Sequence, residues 1–108
     1  MDQRVKQTFD ELKTTFLSGV DAQKIWDEAS DIIEPTLRNW ARAMVLLESG
    51  NDSQKRIAKQ IIGSVERTME EMKSLAKHTA VNYLWDRFAD AMLVIVTRHL
   101  IPTLIAAI

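Results

Sequence analysis

Two histidines and three pairs of carboxylates are the groups in this sequence best placed to do chemistry. A metal site or a bis-histidine haem requires ligands gathered on one helix face, three or four residues apart, or facing each other across a core. Neither His78 nor His99 has a His, Asp or Glu at those spacings, and no Glu-x-x-His exists to suggest a di-iron bundle. The two histidines could meet across a bundle only if the chain turned near residue 88, where the helical pattern is strong. His78 therefore reads as a helix-end residue and His99 as a partly exposed one.

The carboxylate pairs are Asp27 with Asp31, Glu66 with Glu70, and Asp86 with Asp90. Acid–base catalysis needs one member of a pair desolvated, so that its pKa rises. The first two pairs lie opposite apolar stripes and read as solvated faces. Asp86 and Asp90 occupy a narrow polar stripe on the most apolar segment, where Arg87 and Arg98 could neutralise them inside an interface. Buried charge pairs of that kind can set register or partner choice. No Gly-rich phosphate loop and no G-x-S-x-G occur, and the chain has no Cys to supply a thiolate nucleophile, a thiolate metal ligand or a disulfide. The expectation is a protein that is not an enzyme, with no metal, no cofactor and no small-molecule substrate.

The elements that position these residues read as helices. The 108 residues amount to one domain, and 46 % are hydrophobic, enough for a core. Only 3 Gly and 2 Pro are present, which disfavours strand-rich folds with many tight turns. Val5, Phe9, Leu12 and Phe16 form one stripe over about 2–17. Over about 22–48, Trp26, Ala29, Ile33, Leu37, Trp40, Met44 and Leu47 extend a heptad-like stripe, and Pro35 inside it predicts a kink or restart. Ser18-Gly19 ends the first helix, with Asp21 as the next N-cap. Gly50 ends the second, with Asn51 or Asp52 capping the third. A weaker stripe of Ala58, Ile62, Val65, Met69, Met72, Ala76, Thr79 and Tyr83 follows. From about 80 onward, Leu84, Phe88, Ala91, Met92, Val94, Ile95 and Val96 nearly encircle a helix, as in a buried element.

The fold class expected is all-α: a four-helix, up-down bundle in one domain, 1–108, with a short first helix. Its helices span about 2–17, 22–48, 53–78 and 80–101 or beyond, with a break near Lys77-His78-Thr79. The alternative is a helical hairpin with one very long C-terminal helix in an oligomer. A continuous helix over 53–101 would measure about 73 Å, too long to bury itself in a monomer.

Residues 91–108 are apolar, and 18 is the lower limit for a membrane span. Arg98 and His99 near the middle, Pro102 after them, and a slightly negative mean hydropathy for the whole chain favour a core helix over a span or anchor. An apolar tail that docks into a partner is the intermediate reading, because chain ends are ordinarily polar. The interface residues expected from this are Trp85, Phe88, Met92, Ile95, Leu104, Ile105 and Ile108. Trp26 and Trp40, two heptads apart, read as core, whereas Trp85 beside Asp86 reads as a peripheral anchor.

The net charge of -1 gives no global pull toward nucleic acid. It is unevenly spread, with -4 over residues 21–34 and +3 over 35–67. Arg38, Arg42, Lys55, Arg56 and Lys59 could form a patch for a phosphate backbone. Alternatively, the acidic and basic ends of neighbouring subunits attract each other. The leading expectation is a non-enzymatic cytoplasmic protein, host or virus-encoded, that acts by protein–protein association as a homo-oligomer or as a small subunit or adaptor of a larger assembly. A small helical subunit contacting nucleic acid in a ribonucleoprotein or DNA-binding complex is the second reading. A membrane-active or membrane-anchored protein is the third.

Overall fold

The first stripe folds as its spacing requires. In a computed structural model describing residues 2–76 and 82–107, α1 (Gln3–Leu17) buries Val5, Phe9, Leu12 and Phe16. Asp2 caps it, accepting a hydrogen bond from the Arg4 amide at 2.8 Å. α2 (Ala22–Ser49) is the central element, with Ile25, Ala29, Ile33, Leu37, Trp40, Met44 and Leu47 among its buried residues. The two helices pack as an antiparallel hairpin. Phe16 meets Trp26 edge-on near the connecting loop, and Arg4 pairs with Glu48 at the far end.

Between them, Asp21 adopts a left-handed backbone conformation, φ 59°. It precedes α2 in the N-cap position, but its side chain makes no capping hydrogen bond and its carboxylate lies 3.8 Å from Arg87 instead. The sequence placed the distortion of α2 at Pro35. The helix runs through Pro35, and the non-helical residue is Ala29, φ -134° and ψ 20°. Proline removes the amide that would bond the carbonyl of residue 31, and its ring presses on that carbonyl. Asp31 and Pro35 are both exposed, so water can solvate the freed group. The backbone departs from helix in the turn before, at a small side chain.

Gly50 ends α2, although its backbone is not left-handed, with φ -80° and ψ 167°. Glycine is required there by space, since a Cβ would lie 2.6 Å from the Leu46 carbonyl oxygen. Asn51 then caps α3 (Asp52–Gly63) in a reciprocal box with Gln54, both hydrogen bonds measuring 2.9 Å. Asn51→Ala is expected to lower stability by about 1 kcal/mol, read from urea unfolding. An unchanged midpoint would show that the box contributes nothing.

The helix expected over 53–78 is divided. α3 stops at Gly63, Ser64 has φ -97° and ψ 13°, and α4 (Val65–Ala76) follows. The Ser64 hydroxyl donates to the Ile61 carbonyl at 2.9 Å, competing with the backbone ladder. The break expected at residues 77–79 lies outside the described residues. The alternative of one helix over 53–101 does not hold: the molecule's longest dimension is 41 Å, and Ser64 interrupts the path.

A 3-10 turn (Asn82–Leu84) leads into a 22-residue rod, Trp85–Ala106. The rod comprises α5 (Trp85–Ile95), a π-helical turn (Val96–Leu100) and α6 (Ile101–Ala106). Phe88, Ala91, Met92, Ile95 and Leu100 pack into the same core as α1 and α2. The fold is all-α.

Candidate functional site

The π-turn decides what the rod exposes. The Ile101 amide bonds the Val96 carbonyl, five residues back. Its cause is Pro102, which has no amide for the carbonyl of Arg98 and whose ring would crowd that group in a regular helix. An α-helix advances about 100° per residue, whereas a π-turn advances about 82°. Along a regular helix, Ile105 would sit about 120° around the axis from Leu93. Through the π-turn it sits about 30° away, with Ile101 within about 10° of Leu93. The same correction keeps Leu100 in line with the buried Met92. One turn of altered twist therefore sorts an almost wholly apolar segment into a buried face and an exposed face.

The exposed face carries Leu93, Ile101 and Ile105, which are 63 %, 42 % and 65 % exposed. Thr97, Arg98, Pro102 and Ala106 are exposed beside them. Of the interface residues expected from sequence, Phe88, Met92 and Ile95 are corrected: they are buried in the chain's own core. Trp85 is half-buried and stacked on Phe88 at 5.2 Å, so part of its surface is already used. Leu104 is half-buried against the core, Ile105 is exposed, and Ile108 lies outside the described residues. Leu93 and Ile101 were missed, because a uniform helical wheel does not place them in line with Ile105. Pro102 was the available signal.

Rod and hairpin are tied at His99. Its Nε2 lies 2.8 Å from the Thr15 hydroxyl, which itself donates to the Glu11 carbonyl at 3.1 Å. His78 lies outside the described residues. Asp27, Asp31, Glu66, Glu70, Asp86 and Asp90 are all exposed. Among the described residues, no group of three or more His, Cys, Asp or Glu could hold a metal ion. Trp26, read as core, sits at the core's edge with the Lys13 ammonium 4.7 Å from its ring, whereas Trp40 is fully buried. A side-chain hydrogen bond to Tyr83, together with the charge on that phenol, raises the Lys24 pKa above its ordinary value, and desolvation opposes this.

The five basic residues line two different surface hollows. Arg38 pairs with Glu34 at 2.8 Å and lies over the Phe9 ring, with its Nε buried and without a hydrogen-bond partner among the described residues. It lines a groove with Arg42, Thr68 and Glu71, two guanidinium groups against one carboxylate. Lys55, Arg56 and Lys59 line a separate hollow beside Ala107, at the C-terminal end of the rod. Positive charge there complements the partial negative charge of a helix terminus. By length and composition the rod could cross a membrane, with mean hydropathy 1.5 over its most apolar window and 33 % of that window buried. Spanning would strip Phe88, Met92, Ile95 and Leu100 out of the core.

No protein-family model matches this chain, and neither a curated protein nor a solved structure matches it.

Proposed function

We propose that this protein acts by protein–protein association through the exposed face of its C-terminal rod, without catalysis. The observation that supports the reading is the alignment of Leu93, Ile101 and Ile105 on one exposed strip of a helix whose opposite side is core. Scattered surface apolar residues are ordinary, but a contiguous line of large ones marks an interaction site. The ion pairing of Arg38 and the division of the basic residues into two groups leave a phosphate-backbone role with less support.

The test compares the wild-type chain with a Leu93→Glu, Ile105→Glu double variant. Sedimentation velocity and affinity capture from an extract of the source organism are both read. Association, with itself or with another protein, is expected in the wild type and lost in the variant. Both positions are exposed, so the variant's stability should remain within about 0.5 kcal/mol per substitution. A wild-type chain that stays monomeric and captures nothing removes the reading.

A further inference from the structure

The charges bordering the exposed face identify what covers it. Relative to Leu93, Asp86 and Asp90 fall about 20° and 60° around the rod, and Arg98 about 105° to the same side. All three are exposed, and neither Asp90 nor Arg98 is in an ion pair among the described residues. Arg87, further round that flank, is turned to Asp21. The opposite flank carries Ala89 and Val96 and no charge. The face is thus acidic toward its N-terminal end and basic toward its C-terminal end, with an apolar line between.

Such a strip is complementary to itself when turned end for end. We infer that it binds a second copy of this chain, antiparallel, about a two-fold axis crossing the rod near residue 95. This inference deepens the association reading above and rests on it. In that register Arg98 of each copy reaches Asp90 of the other, so the pair forms twice. Leu93 meets Thr97 of the other copy and Ile101 meets Ala89. A parallel copy would instead set the charged flank of each rod against the uncharged flank of the other, so that neither Asp90 nor Arg98 finds an opposite charge. The stretch from Asp86 to Ile105 is about 30 Å long and one helix wide. It buries on the order of 500 Å² per copy, at the small end of specific interfaces, so a micromolar dimer is expected.

The test is sedimentation equilibrium of the full chain from 1 to about 500 μM, bracketing a micromolar constant. A reversible monomer–dimer equilibrium is expected. Asp90→Arg alone and Arg98→Asp alone should each raise the dissociation constant about tenfold or more, since every dimer then carries two repulsive contacts. The chain carrying both substitutions should return to near the wild-type value, because the pairs re-form with their signs exchanged. Circular dichroism of each single variant should match the wild type, so that its weakened association is not a loss of fold. As a second readout, Leu93→Cys mixed with Thr97→Cys should cross-link on oxidation, against a background free of cysteine. A chain that is monomeric at every concentration overturns the inference, as does a dimer indifferent to the single exchanges or not rescued by the double one. If the chain is monomeric but captures another protein in a manner abolished by Leu93→Glu with Ile105→Glu, the second copy is excluded and the association reading stands.

Discussion

Trp40→Ala is expected to remove about 3–5 kcal/mol of stability. Trp40 heads the largest fully buried side chains, at 1 % exposure, on the central helix where the core is thickest. Truncation loses the transfer free energy of the indole and leaves a cavity that a close-packed interior closes only in part. A chain of this size has roughly 5–15 kcal/mol in total, so the loss is between about a fifth and all of it. Thermal unfolding followed by circular dichroism should show a fall in Tm of roughly 15 °C or more, or no cooperative transition at all. A loss below about 1 kcal/mol, typical of surface or average substitutions, would place Trp40 outside the core and contradict the hairpin's packing.

Pro35→Ala is expected to act in the other direction, raising stability by about 2 kcal/mol and Tm by roughly 10 °C. Proline inside a helix costs about 3 kcal/mol relative to alanine. Part of that cost is offset because proline also restricts the unfolded chain, by about 0.4–1 kcal/mol. Pro35 is exposed, so no packing is lost when its ring is removed. The new amide can bond the carbonyl of residue 31. Denaturant unfolding measures this directly. A destabilised Pro35→Ala would mean that the bend in α2 is needed to seat Ile25 and Ala29 against α1 and the rod.

These two residues show what the sequence revealed and where it stopped. The core faces of α1 and α2 were legible because each stripe repeats at helical spacing, and Leu12, Leu37 and Trp40 fall where the repeat puts them. Gly50 was identified as a helix end, but for a different reason from the one that holds it, because close approach of a carbonyl leaves no trace in sequence spacing. Ser64 escaped notice because its hydroxyl's competition with the ladder depends on local geometry. The surface of the rod was read least well. Phe88, Met92 and Ile95 are apolar residues of the same kind as Leu93 and Ile101, and composition cannot tell an inward side chain from an outward one. The difference is a matter of rotation, and the rotation is altered at the turn before Pro102.

That turn has a consequence at the level of sequence change. A π-turn is equivalent to a regular helix with one residue inserted. Regularising this stretch at its present length, by lifting Pro102's constraint, swings everything downstream by roughly a quarter turn. Ile105 then leaves the line of Leu93, and the inward residues past Leu100 lose register with Met92. Removing one residue between Val96 and Leu100 together with that constraint restores an uninterrupted α-helix in which both faces keep their register, whereas a deletion elsewhere in the rod displaces the buried and the exposed face together. Length and twist are therefore coupled in the rod: a one-residue deletion is accommodated only where it also removes the π-turn.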